Sequence, residues 1–361
     1  MELKLDNTKT YAIALEGGGA KGAYEIGVWK ALDEAGIKFN AVAGTSVGSM
    51  NGALMAMGDL DHAIELWESI KMSKVIDVND QDMENLKNMD IRLDNVHGLA
   101  RQVVDIIKNR GLDITPLRNW LNQAVDVKKV KESEVELYVT TVSLTDKKEL
   151  EIRVKDLPDD EVCDMLIASS YLPAFRLEPL GGKFYADGGF MDAVPIHALI
   201  ENGSRDIIEI LMHGMGVERR VKLPQDVNIT VIEPRTDLGS ILNFVSEQSK
   251  RDLLIGYCDG MRVLYGLAGK EYYIDPTLSE REALELLIAA ESDQPDAPSL
   301  RRICEREIPA LARFVGVRNG GYRDILIASL ENEARSLNID PYKIMTDVEF
   351  MDAINAAKAE Q

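Results

Sequence analysis

The sequence predicts an α/β fold: a largely parallel sheet covered by helices, extended at its C-terminal end by a helical region. Three observations carry that expectation. Short apolar runs alternate with segments of helical spacing over roughly the first three quarters of the chain. Two of those runs end in glycine-rich turns that open directly into helices. Beyond about Thr277 the strand signals fade and amphipathic helical segments follow. With 361 residues, 45% of them hydrophobic, the chain can form one large α/β domain with an appendage, or two domains. The expected division is a first domain over 1–276 and a helical extension over 277–361.

Tyr11 to Leu15 reads as a buried strand, followed by glycines and a helix from about Ala20 to Ala35 that stops at Gly36. Tyr24, Val28, Ala31, Leu32 and Ala35 form its core face. Phe39 to Ala43 reads as the second strand, leading into "GTSVGSMNGALMAMG", a helix of small residues ending at Gly58. Asp59 or Asp61 caps the next helix, and "DITPLRNWL" starts another with Thr115 as cap and Pro116 at its first position. The polar span between them, Lys71 to Arg110, gives no clear signal. Further strand-like runs are Glu136 to Leu144, Leu150 to Val154, Ile207 to Met212 and Val227 to Ile232, with a hairpin-like segment from Phe175 to Ala186 turning at Gly181-Gly182. "AESDQPDAPS" reads as an acidic, proline-bearing loop.

The net charge of −20 and pI near 4.7 argue against a nucleic-acid partner or a permanent seat on an anionic bilayer, because no basic patch offsets the charge. Cys163, Cys258 and Cys304 lie far apart, so neither a disulfide framework nor a zinc cluster is expected. A reducing cytoplasm fits best. The opening "MELKLDNTKT" lacks the apolar core of a signal peptide, and no run of about 18 apolar residues occurs. A soluble protein is expected, one that would meet any lipid from the water side.

The first motif is Gly17-Gly18-Gly19-Ala20-Lys21-Gly22, which fits G-x-G-x-x-G between a strand and a helix. A dinucleotide site would also need an acid at the end of the second strand to hold a ribose hydroxyl. That strand ends instead in Gly44-Thr45-Ser46-Val47-Gly48, while Asp33 and Glu34 fall inside the helix. A P-loop fails too, since Lys21 precedes Gly22 where Gly-Lys followed by Ser or Thr is required. What remains is bare backbone N–H at a helix start, suited to an oxyanion or a phosphate.

The second motif, Gly44-Thr45-Ser46-Val47-Gly48, is a G-x-S-x-G pentapeptide sitting between a strand and a helix, where a sharp turn exposes a serine oxygen. Of the four histidines, His62 lies in a helix, His97 in a polar stretch, His197 after Pro195 at a helix start, and His213 at a strand end. His213 is the best placed of them as a base, although a structural role is the commoner fate of each. The third motif, Asp187-Gly188-Gly189, is by itself an ordinary turn sequence.

Taken together and in order, "EGGGAKGAYEIGVWKAL", "AVAGTSVGSMNGA", "ASSYLPAFRL" and "YADGGFMDAVP" resemble the patatin-like phospholipases, over roughly residues 10 to 275 and including "GLDITPLRNWL". The resemblance implies a three-layer α/β/α patatin-like fold. It implies Ser46 as nucleophile, Asp187 as its sole partner in a Ser-Asp dyad, and the loop Gly17 to Gly22 as the oxyanion hole; the Val47 N–H, on the residue after the nucleophile, is a further donor candidate. Gly44 and Gly48 would shape the elbow, Pro173 a wall of the site. Lys21 stands where the family carries Arg or Lys; a solvated charge on the first helical turn is the plainer alternative. The activity implied is hydrolysis of acyl esters of phospholipids, lysophospholipids or related lipids through an acyl-enzyme, with no cofactor or metal and with transient contact to a membrane surface. A non-catalytic lipid-binding protein and, less well, a nucleotide-binding oxidoreductase are the alternatives. The resemblance leaves the helical tail unexplained; its "IPALARFVGV" and "YRDILIASL" would pack on the catalytic domain, or else serve as a lid or a subunit interface.

Overall fold

The computed structural model describes residues 1–75, 112–172, 175–214, 216–217, 222–292 and 298–360. The chain forms two compact units, residues 6–260 and residues 1–5 with 261–361. His97, Pro173 and most of the polar span from Lys71 to Arg110 fall outside the described residues.

The first unit is built on a seven-stranded sheet. Its strands are β1 (Thr10–Leu15), β2 (Lys38–Thr45), β3 (Glu136–Ser143), β4 (Lys148–Arg153), β5 (Tyr185–Asp187), β6 (Asp206–Ile210) and β7 (Asn228–Ile232). The order is β4-β3-β2-β1-β6-β7, with β5 also on β3. The pairs from β3 through β7 in that order are parallel, and β4 and β5 run antiparallel to β3. Such a sheet, mostly parallel and flanked by helices, explains the near-continuous apolar reading of β1 (TYAIAL), whose last five residues are all buried.

Helix α1 (Ala23–Glu34) follows a short 3-10 turn over Gly19–Gly22 and ends before Gly36, whose φ of +69° takes the left-handed conformation expected at a helix end. It is buried on almost every side, including Glu25 and Trp29 as well as the five residues of the expected core face. Helix α2 (Val47–Met57) ends at Gly58, and α3 (Leu60–Glu68) is capped by Asp59, whose side chain accepts the His62 N–H. At Thr115–Ala124 the cap differs from expectation: Thr115 is already helical, and the Asp113 carboxylate takes its N–H at 2.7 Å.

The Gly181-Gly182 turn forms, with φ of +53° and +79° and a closing pair between Leu180 and Lys183. The chain beyond it does not fold back as a hairpin arm. Residues Tyr185–Asp187 pair with β3, because an unoccupied stretch of that strand's edge continues where β2 stops. Here β2 pairs with Glu136 to Thr140, and β5 with Thr141 to Ser143. Since β4 covers the other edge of β3 over the same stretch, β2 and β5 meet end to end along one edge.

The second unit is mainly helical, yet it carries a two-stranded parallel sheet, β8 (Tyr273–Asp275) with β9 (Ile344–Thr346). The latter corrects the all-helical reading of the tail. Three residues are too few for an alternating pattern to be read in sequence. Ile308, Ile325 and Leu326 of the two apolar tail segments pack with Ala283, Leu287 and Ile303 inside this unit. Among the described residues no helix is long and apolar enough to cross a membrane.

Candidate active site

The G-x-S-x-G elbow is dictated by backbone crowding. A Cβ on Gly44 would lie 2.3 Å from the Gly48 carbonyl oxygen, and one on Gly48 would lie 2.7 Å from that of Leu15. Only glycines let α2 start directly against the sheet. Ser46 itself sits at φ +54°, ψ −126°, a conformation costing an L-residue about 1–3 kcal/mol. Its N–H donates to Ser169 Oγ at 2.8 Å, and Ser169 Oγ donates to the Thr140 carbonyl at 2.6 Å.

Asp187 arrives from the opposite direction. Thr45 is paired with Thr140 and Asp187 with Thr141, so the residue before the serine and the carboxylate face consecutive positions of β3. Thr45 Oγ1 also donates to the Asp192 carbonyl at 2.9 Å, tying the end of β2 to the turn after β5. The buried Asp187 carboxylate takes the Gly189 N–H at 2.8 Å and has the Ser46 hydroxyl as a hydrogen-bonding neighbour. Burial pushes its pKa up to about 6, against the smaller downward pull of those two donors.

Ser46, Asp187, Gly17, Gly18 and Gly19 line one cavity. The glycine loop narrows as a donor set. Gly17 N–H is committed to the Ala193 carbonyl, Ala20 N–H to that of Ile241 and Lys21 N–H to that of Gly18. Among the described residues no acceptor meets the N–H of Gly18, Gly19 or Val47. Gly22 serves packing, since a Cβ there would lie 2.7 Å from both Trp67 and Val47 side chains.

Lys21 is neither solvated nor aimed into the cavity. It is 8% exposed, and Nζ donates to the carbonyls of Met212 (3.2 Å) and His213 (2.8 Å). Burial lowers its pKa, with Asp237, Glu16 and Asp252 opposing. From the other side the buried Glu16 carboxylate accepts the N–H of Met212 and Gly214. Segment 212–214 is thereby clamped against the glycine loop so closely that a Cβ on Gly214 would lie 1.8 Å from the Gly17 carbonyl oxygen.

The sequence reading missed Glu16, Ser169 and a buried chain in which Trp67 Nε1 donates to Asn51 Oδ1 (2.9 Å) and Asn51 Nδ2 to Glu25 (2.7 Å) and to the Gly22 carbonyl (2.8 Å). Burial holds the Glu25 carboxyl well above the usual range. His213, favoured as a base, has Nε2 3.7 Å from Glu233; His62 Nε2 lies 3.1 Å from the Ala124 carbonyl oxygen, and His197 sits between Glu151 and Glu201. Among the described residues no histidine lines the Ser46 cavity.

Among known proteins, residues 13–200 match the family described as Patatin-like phospholipase. A stretch of 47 residues is 57% identical to mouse Patatin-like phospholipase domain-containing protein 6, covering 13% of this chain and 4% of that protein. Another of 48 residues is 50% identical to Lysophospholipase nte1 of Aspergillus terreus, covering 13% and 3%. The matches thus span only a few per cent of these curated relatives' length. Among solved structures, VipD from Legionella pneumophila superposes with a TM-score of 0.44 at 15% identity, covering 96% of this chain and 83% of that one. The type III effector ExoU of Pseudomonas aeruginosa gives 0.36 at 14%, covering 91% and 79%. With the family pattern running across more than half of its length, the chain belongs to the patatin-like phospholipase family.

Proposed function

We propose that this protein is a serine acyl hydrolase that cleaves fatty-acyl esters of phospholipids, lysophospholipids or related lipids with Ser46 and Asp187 as a dyad. The observation that supports the reading is that Ser46, directly after a residue paired with Thr140 of β3, and Asp187, paired with the adjacent Thr141, line one cavity beside N–H groups that, among the described residues, meet no acceptor. Ser46 Oγ attacks the ester carbonyl while Asp187 takes its proton. The oxyanion turns to the Gly18, Gly19 and Val47 amides, each worth about 3–4 kcal/mol. Asp187 then returns the proton to the leaving alkoxide, giving the free alcohol and the acyl-enzyme. Water attacks next, losing its proton to Asp187, which passes it to Ser46 as the fatty acid leaves.

An aspartate with an ordinary pKa is a weak base at neutral pH, and its elevated value brings it nearer the useful range while keeping it ionised. The membrane partner is a transient lipid surface, and the cytoplasm is the compartment that three free cysteines fit. Hydrolysis of p-nitrophenyl esters by Ser46→Ala and Asp187→Asn tests the dyad: both should fall by at least about 10³-fold, and near wild-type turnover in either folded variant overturns it. A fluorophosphonate should label Ser46 in the wild-type protein.

A further inference from the structure

The charge of −20 on the whole chain conceals a local reversal in the second unit. Residues 301–323 hold six arginines against two glutamates, a basic patch that the overall composition hid. Arg301 and Arg302 engage those glutamates, Glu305 at 3.0 Å and Glu307 at 2.8 Å. Arg306, Arg313 and Arg318 are exposed, and among the described residues no carboxylate lies within ion-pair distance of them. Asp324 and Glu280 serve instead at the start of the following helix, taking the N–H groups of Gly321 (2.9 Å) and Tyr322 (2.6 Å).

The fold gathers the cations around an aromatic side chain. On the helix Ile308–Phe314, Ile308 is buried and Leu311 and Ala312 pack beside it, so Ala310, Arg313 and Phe314 face water, as does Arg306 in the turn just before. The helix stops directly after Phe314, where Gly316, at φ +76°, lets Val317 donate its N–H to the Ala312 carbonyl at 2.8 Å. Arg318 leaves from that end, and a Cβ on Gly316 would stand 3.6 Å from Nζ of the exposed Lys270. Phe314 is 81% exposed, the most of any large apolar side chain among the described residues.

We propose that this face, Phe314 with Lys270, Arg306, Arg313 and Arg318, docks the protein on a bilayer that contains anionic lipid. A lone exposed apolar side chain needs no partner, and a lone arginine at a helix C-terminus is accounted for by the helix dipole. Together they match head-group phosphates lying over hydrocarbon: the ring enters the acyl boundary while the long cationic stems spread to the phosphates. The choice of a bilayer over another polyanion rests on the hydrolase reading, in which lipid esters are the substrates. Each cation held at such a surface strengthens binding about fivefold, and burial of the ring adds about tenfold.

Full-length Ser46→Ala protein, which leaves the lipid uncut, can be sedimented with vesicles of phosphatidylcholine alone or mixed with phosphatidylglycerol. Binding should require the anionic lipid and weaken as salt rises. Replacing three arginines together, Arg306→Gln, Arg313→Gln and Arg318→Gln, should lower it about 100-fold, and Phe314→Ser about tenfold. Lys128→Gln, which removes an exposed lysine of the first unit, should leave it unchanged. Equal binding to both vesicle types, or full binding by either the arginine or the phenylalanine variant, overturns the proposal. Analytical ultracentrifugation covers the rival occupant: a parent dimer that Phe314→Ser makes monomeric, with vesicle binding retained, would assign the face to a second copy of the chain. Wild-type protein that binds anionic vesicles but hydrolyses no ester keeps the docking face and removes the hydrolase reading; hydrolysis of soluble esters without vesicle binding does the reverse.

Discussion

The Ser46 N–H is held by Ser169 Oγ at 2.8 Å, and the same hydroxyl is anchored on the Thr140 carbonyl. One side chain from the helix Val162–Ser169 therefore pins the strained elbow to the strand that also pairs with Asp187. Ser169→Ala leaves a buried N–H unmatched, at a cost of about 1–3 kcal/mol. Denaturant unfolding should report that loss, and kcat should fall more than KM rises. Unchanged stability together with unchanged kcat would mean the clamp is idle.

In the proposed dyad Asp187 accepts a proton only when ionised, so kcat/KM should fall about tenfold per pH unit below about pH 6, its folded pKa. The sign for stability is the reverse of a salt-bridged carboxylate. Because the folded value exceeds the ordinary 3.8, the folded state holds the proton longer, and stability declines as pH rises from about 4 through about 6, levelling off above. The gap corresponds to about 3 kcal/mol at 1.36 kcal/mol per unit. Asp187→Asn keeps an acceptor for the Gly189 N–H and should be more stable than wild type at pH 8 but not at pH 4. Paired urea titrations check this; equal differences at both pH values would contradict it.

Gly19 combines φ +56° with an Ile241 carbonyl oxygen 2.3 Å from where a Cβ would stand. Gly19→Ala must displace the loop and with it the Gly18 and Gly19 amides. Losing one such donor lowers kcat by about 10²–10³-fold. Stopped-flow acylation should show the loss, and a folded variant acylating at the wild-type rate would take the loop out of the mechanism.

Lys21 spends its ammonium on two carbonyls rather than on substrate. Lys21→Met should destabilise by about 2–3 kcal/mol through loss of charged hydrogen bonds. It should leave the ratio of lysophosphatidylcholine to monoacylglycerol hydrolysis where it was. A selective loss on the phospholipid would show the cation meeting the head group after all.

Apart from β5, whose segment read as one arm of a hairpin, the strands of the first unit and the elbow were legible because their causes are local: apolar runs, paired glycines, a serine between them. Asp187 was legible only as part of an ordered set of motifs, since its pairing with Thr141 joins distant stretches of chain. Ser169 and Glu16 escaped notice for the same reason; their partners Ser46, Met212 and Gly214 are far away in sequence. The reading of Lys21 as a solvated charge failed because burial, which sets its partners, leaves no mark on a single charged residue.

The end-to-end meeting of β2 and β5 on β3 has a consequence for how the protein fails. The backbone on which the alcohol and the carboxylate stand is joined by sheet hydrogen bonds to one strand, so a large change in their separation requires that sheet to loosen. Inactivation and loss of far-ultraviolet circular dichroism should share one midpoint as urea rises, where an enzyme assembled on mobile segments would lose turnover first.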